Sequence, residues 1–181
     1  GISSFNRVAI SGSTVTANGG DSSSNSGGYG ISSLDVAISG STVTANGGDS
    51  KDGSGGNGIY SSSSVTISGG TVTATGGDST GSDGSGGNGI YSRNGSIDLS
   101  GSLELTAKAG SPNGKALSQN GSELVLDTIK DKLGPGAKVT ATDADGKVID
   151  QVSTPRPVEP EESSSSSDGG SAAPPAPVSP L

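Results

Sequence analysis

VAISGSTVTANGGDS runs from Val8 to Ser22 and returns letter for letter from Val36 to Ser50. VTISGGTVTATGGDS, from Val65 to Ser79, is a third copy, and IDLSGSLELTAKAGS, from Ile97 to Ser111, is a fourth that has drifted. The copies begin at 8, 36, 65 and 97, so their spacings are 28, 29 and 32 residues. Self-similarity at a period of this size marks a solenoid or array, in which each unit buries its apolar stripe against its neighbours.

Aligning the copies gives three short strands per turn. The first is Gly followed by an apolar residue: Gly1-Ile2, Gly30-Ile31, Gly58-Ile59, Gly89-Ile90 and, in a divergent fifth turn, Ala116-Leu117. The second carries Val8 and Ile10, Val36 and Ile38, Val65 and Ile67, Ile97 and Leu99, then Leu124 and Leu126. The third carries Val15 and Ala17, Val43 and Ala45, Val72 and Ala74, then Leu105 and Ala107. Apolar residues alternate with Ser or Thr in each, so one face points inward and the other outward. With Ser-Gly corners and one long Gly-rich loop per turn, the pattern predicts an all-β chain. Its form is a right-handed parallel β-helix of about five turns, climbing about 4.8 Å per turn. A propeller blade needs four strands and roughly 40 residues, and leucine-rich repeats need Leu and Asn spacings that are missing here.

After Leu126 the grammar changes. DTIKDKLGPG (127–136) reads as a polar excursion with helical character, and AKVTATDADGKVIDQV (137–152) holds Asp145-Gly146, a hairpin signal between two β-rich runs. Residues 1–115 are therefore assigned to repeats, and 116–152 to the last turn and a C-terminal β-hairpin cap. Residues 153–181, rich in Pro, Ser and Gly, read as a disordered linker. Gly1 falls on the repeat position of Gly30, Gly58 and Gly89, which raises the expectation of a piece of a longer protein with turns upstream.

Composition narrows function by exclusion. Hydrophobic residues make up 27% of the 181 positions and Gly occupies 33, values that permit a fold here only because the apolar residues are periodic. A net charge of −8 with no basic cluster argues against nucleic acid as partner. Cys and His are both absent, which removes disulfides, thiolate chemistry and the commonest general base. No apolar run is long enough to span a membrane.

Three constellations remain. Asp21, Asp49 and Asp78 share one repeat position and should stack on successive turns. Carboxylates about 5 Å apart repel by roughly 1 kcal/mol in water, so either the side chains splay into solvent or a cation lies between turns, unless each simply forms an Asx-type turn with backbone N–H groups. Oxygen ligands favour Ca²⁺, and the following loops add Asp52 and Asp83, Asn57 and Asn88 in matching positions. Tyr60 and Tyr91 share a second position, following the inward Ile, and their rings should project outward on neighbouring turns. Two exposed rings on a sheet suit the C–H face of a sugar, and Arg93 suits an acidic one; cross-strand packing is the competing explanation. Tyr29, which precedes Gly30, is out of that register. The paired Thr files Thr14 and Thr16, Thr42 and Thr44, Thr71 and Thr73 have the T-x-T form of ice-binding solenoid faces, but Thr fills ordinary half-exposed strands equally well.

ISGGTVTATGGDSTGSDGSGGNGIYS (67–92) resembles the Gly-rich β-helix repeats of clostridial and related Firmicutes cell-surface proteins, in particular the carbohydrate-binding domain-containing β-helix family. The resemblance covers roughly residues 1–115. It implies a secreted or surface-attached protein that binds plant polysaccharide, with Ca²⁺ falling on the Asp21, Asp49, Asp78 column and on Asp52 and Asp83. The expected function is thus a non-catalytic extracellular β-solenoid module, monomeric within a larger chain. Its ligand would be polysaccharide, either plant cell-wall or host glycan, held through Tyr60, Tyr91 and Arg93. The alternatives are a spacer or adhesin stalk without a ligand, a pectate-lyase-like enzyme using Asp78, Asp83 and Arg93, and an ice-binding solenoid.

Overall fold

A computed structural model describes residues 1–157, and they form a parallel β-solenoid. Turn one holds β1 (Ile2–Ser3), β2 (Arg7–Ser11) and β3 (Thr14–Asn18), and turn two holds β4 (Ile31–Ser33), β5 (Asp35–Ser39) and β6 (Thr42–Asn46). Turn three is β7 (Ile59–Ser61) and β8 (Val65–Thr75), and turn four β9 (Ile90–Ser92) and β10 (Ile97–Lys108). In turns three and four the second and third strands fuse into one. The fusion pivots at Gly69 and Gly70 in β8 and at Gly101 in β10, all with positive φ, a backbone state natural to glycine. A fifth turn is partial: β11 (Leu117–Gln119) lies parallel on β9 and β13 (Lys138–Thr142) parallel on β10.

Register is strict, and it places like residues in columns. Ile2, Ile31, Ile59, Ile90 and Leu117 pair in sequence along one sheet, β1-β4-β7-β9-β11. Val8, Val36, Val65 and Ile97 do so along the second, as do Ile10, Ile38, Ile67 and Leu99. Ile31, Ile59, Ile90 and Leu117 are completely buried. Each such side chain contributes about 1.5–3 kcal/mol through burial.

The end of the coil departs from expectation in three ways. Leu124 and Leu126 are buried but form no second strand; Leu124 follows β12 (Ser122–Glu123), and Leu126 opens a 3-10 helix, Leu126–Lys132. β12 turns back antiparallel on β11, which ends the ladder on that side. The repeat's third strand persists instead in KVTAT (138–142), whose Val139 and Ala141 continue the Leu105 and Ala107 columns. Asp145-Gly146 does turn β13 into antiparallel β14 (Val148–Ser153), giving the expected hairpin cap. Order extends past Ser153: Thr154 accepts from the Ala137 N–H and donates to the Gly134 carbonyl. The expected linker otherwise lies outside the described residues. Among the described residues, no helix is long and apolar enough to cross a membrane.

The Gly-rich stretches are not open loops. Each of the first three turns sends out a Gly-Gly pair and brings back another, and the two sets interleave through one continuous series of backbone bonds. The Gly28 N–H donates to the Gly20 carbonyl, Gly48 to Gly28, Gly56 to Gly48, Gly77 to Gly56, Gly87 to Gly77 and Gly110 to Gly87, at 2.7 to 2.8 Å. Between stacked turns a side chain would break this seam: a Cβ on Gly77 would stand 2.0 Å from the Gly48 carbonyl oxygen. Gly20, at the exposed first turn, has nothing within 4 Å of its virtual Cβ. Gly77→Ala should therefore cost about 1–3 kcal/mol or more by overpacking, and Gly20→Ala less than about 0.5 kcal/mol. Urea unfolding of the two variants checks the contrast.

Candidate functional site

Two of the repeat positions that looked chemical in the sequence, one Asp column and one Asn column, join successive turns. Asp21, Asp49 and Asp78 do stack, and each reaches up one turn: the Asp49 N–H donates to Asp21 Oδ1 at 2.9 Å, Asp78 N–H to Asp49 Oδ1 at 2.8 Å, and Ser111 N–H to Asp78 Oδ1 at 2.9 Å. The sequence left an Asx-type turn and a cation between turns as alternatives; the register supplies backbone N–H partners from the turn above. A charge-assisted bond of this kind offsets the modest repulsion between exposed carboxylates. The column thus has a physical account that needs no cation.

Asn57 and Asn88 form a parallel column. Asn88 N–H donates to Asn57 Oδ1 and Lys115 N–H to Asn88 Oδ1, both at 2.8 Å. Their amide oxygens are therefore committed to the coil. Asp52 and Asp83 lie exposed at the outer ends of the Gly-rich excursions, away from any such bond. Among the described residues, no three His, Cys, Asp or Glu side chains gather where they could hold a metal. A shallow depression of about 600 Å³ does run over Asp21, Asp49 and Asp78, lined also by Ser22, Ser50, Lys51 and Thr80.

The aromatic feature is larger than the sequence indicated. Tyr60 and Tyr91 pair in register on β7 and β9, with ring centroids 5.5 Å apart and planes at 62°. Tyr29 joins them: its ring lies 5.0 Å from that of Tyr60, tilted by 32°. Backbone register hid it, because Tyr29 occupies the position of Asn57 and Asn88, yet a long side chain can lean across to the next strand. The result is a row of three rings along the solenoid axis, with Tyr29 40% exposed. Arg93 stands exposed on the corner beyond Tyr91 and is fixed through its backbone N–H to the Ser61 carbonyl at 2.9 Å. Leu34 and Phe5, exposed at 46% and 99%, occupy the same corner in earlier turns.

Electrostatics set this face apart from the rest of an acidic chain. Partial burial raises the Tyr29 phenol above its ordinary value, the neighbouring Tyr60 and Tyr91 add to that, and the Arg93 charge opposes it. No carboxylate is among the groups that act on it. The Thr files also extend further than expected: Thr16, Thr44, Thr73, Thr106 and Thr140 pair in one unbroken column across five strands. Its neighbour is Thr only through Thr71, then Glu104 and Lys138, which breaks the T-x-T pattern. The last hydroxyl accepts from Gln151 Nε2 at 2.8 Å.

A family model described as "Beta helix repeat" matches residues 8–33, 36–58 and 65–90. No curated protein and no solved structure matches the chain.

Two outcomes test the site's geometry. Asp49→Ala should destabilise by about 0.5–1.5 kcal/mol, the usual worth of one hydrogen bond, while Asp49→Asn, which keeps an acceptor oxygen, should recover most of it in thermal melts. For Tyr29, the protonated phenol is the form that folding favours. Its contribution is complete below the ordinary tyrosine range near 10 and is lost as pH rises through the elevated value. Phenolate absorbance should show one tyrosine ionising late, and Tyr29→Phe should delete that step.

Proposed function

We propose that this β-helix repeat protein is a non-catalytic extracellular or cell-surface module that binds polysaccharide along the row Tyr29, Tyr60, Tyr91, with Arg93 at its end. The observation that carries the reading is that row. The Asp and Asn columns hydrogen-bond between turns, whereas three adjacent aromatic side chains on an outer sheet face exceed what strand pairing requires. Aromatic rings at a wet surface present an apolar face with a polar tip, which suits a sugar's C–H face and hydroxyls together. The row follows the solenoid axis, so an extended glycan would run along the coil and meet successive rings. Arg93 adds an exposed guanidinium for a carboxylate or sulfate on the chain.

Absence of catalysis belongs to the same proposal. The Ser hydroxyls with recorded bonds on the inner columns are tied to backbone carbonyls, as Ser61 is to Leu34 and Ser92 to Ser63, and the chain has no His to activate them.

A second reading is favoured by the ladders themselves. If the Asp, Asn and Gly columns serve only to lengthen a stiff rod, the protein is a spacer whose ligand sites lie elsewhere, and the tyrosines pack only against one another. Affinity electrophoresis across neutral and acidic polysaccharides separates the two. Binding is expected for the parent, with a loss of about tenfold or more in the Tyr60→Ala, Tyr91→Ala double variant, equivalent to about 1.4 kcal/mol. A parent that migrates unretarded in every polysaccharide would favour the spacer.

A further inference from the structure

The chain contains seven Asn-Gly pairs, at Asn18, Asn46, Asn57, Asn88, Asn94, Asn113 and Asn120. Asn-Gly is the dipeptide most open to intramolecular attack, because the following residue has no side chain to shield its nitrogen. Attack needs two freedoms: the glycine N–H must be unpaired, and the Asn side-chain amide must be able to swing onto it. The coil withholds the first at five of the seven. Gly19 N–H donates to Asn46, Gly47 to Thr75, Gly58 to Asn88, Gly89 to Lys115 and Gly114 to Gly110, all to backbone carbonyls at 2.8 to 3.0 Å. It withholds the second as well at Asn57 and Asn88, whose Oδ1 atoms are bonded to the next turn, and Asn46 and Asn18 bond to each other side chain to side chain.

Gly95 and Gly121 are the two glycines left with no partner for the N–H among the described residues. They are not equivalent. Asn94 is restrained by a bond from Nδ2 to the Ser62 carbonyl at 3.0 Å, and Gly95 is packed against Ser63 and Ser64. Asn120 and Gly121 form the two-residue turn between β11 and β12, with φ of 52° and 85°, and both are exposed. Neither side-chain atom of Asn120 has a hydrogen-bond partner among the described residues, and nothing lies within 4 Å of the virtual Cβ of Gly121.

We propose that Asn120-Gly121 is a built-in deamidation site of this protein, and that its reaction releases the cap of the solenoid. The Gly121 nitrogen attacks Asn120 Cγ; the new N–C bond forms as the Cγ–Nδ2 bond breaks, and ammonia leaves with the amide proton. Water then opens the resulting succinimide at either carbonyl, giving aspartate or isoaspartate. The isoaspartate form adds a methylene to the backbone of a turn that has room for only two residues. That turn positions Glu123, whose two carboxylate oxygens accept the Ala116 and Leu117 N–H groups at 3.1 and 2.7 Å. It also follows Gln119, whose Oε1 accepts the Ile97 N–H at 2.8 Å. The chemistry at one exposed turn thus reaches the amides that close the last turn.

The test is site-resolved mass spectrometry of protein aged in warm, mildly alkaline buffer, with isoaspartate read separately by methyltransferase labelling. A sample held in denaturant supplies the intrinsic rate of each site. Relative to that reference, native Asn120 should react at nearly its unfolded rate, and the five paired sites at least about tenfold more slowly, since local opening must come first. Aged protein should also melt lower than fresh protein, and Asn120→Asp, which cannot form isoaspartate by loss of ammonia, should lose less of its melting midpoint over the same interval. Equal protection at all seven sites, or faster reaction at Asn57 or Asn88 than at Asn120, would overturn the proposal. An isoaspartate-bearing protein with an unchanged midpoint would overturn its link to the cap.

Discussion

The inner turns of this protein pair their strands with the turn above and the turn below, and that requirement to pair backbone N–H and carbonyl groups between turns governs the rest. A coil with few large apolar side chains cannot rely on burial alone. It relies on the ladder being complete, because an unpaired buried amide costs as much as several contacts gain. The side-chain columns follow from this. Where two strands run in plain register, backbone pairs with backbone; where the chain leaves the sheets at Gly-Gly, the N–H of the next Asp, Asn or Lys has no strand partner. Asp21, Asp49, Asp78, Asn57 and Asn88 supply the missing acceptors.

The glycine seam is the extreme case. Outgoing and returning segments of successive turns come so close that carbonyl oxygens occupy the places where side chains would be, as at Gly48 beneath Gly77. Glycine here is required for proximity, at backbone angles other residues could adopt. Its entropy loss on ordering is large, and the continuous series of bonds from Gly20 to Gly110 offsets it. The same closeness makes the seam stiff, and the excursions carry only their outermost residues, Asp52 and Asp83 among them, into solvent.

Much of this was legible from letters alone. Alternation of Val, Ile and Ala with Ser and Thr announced the three strand positions, and the strict period announced parallel stacking; the inward columns fall where that pattern put them. Asp145-Gly146 announced the terminal hairpin. What stayed hidden has physical causes. Gly, Ser, Asp and Asn in a run carry the composition of a loop, and nothing in one copy reveals that its glycines pair with those of the next. Val139 and Ala141 continue a column from a stretch whose flanks have lost the repeat. The position of Tyr29 in the sequence reports its Cα register, whereas its ring crosses to the neighbouring strand, so only coordinates unite it with Tyr60 and Tyr91. The Asn120-Gly121 turn was masked by the stronger expectation that Leu124 and Leu126 made another strand.

Amide hydrogen exchange at the seam glycines addresses the central claim most directly. If the Gly-rich stretches form an interleaved ladder, the N–H groups of Gly28, Gly48, Gly56, Gly77 and Gly87 should exchange as slowly as those of the flanking core strands, with Ser23 and Ser24 exchanging freely. Rapid exchange at those five glycines, at the rate of an unstructured loop, would contradict the account.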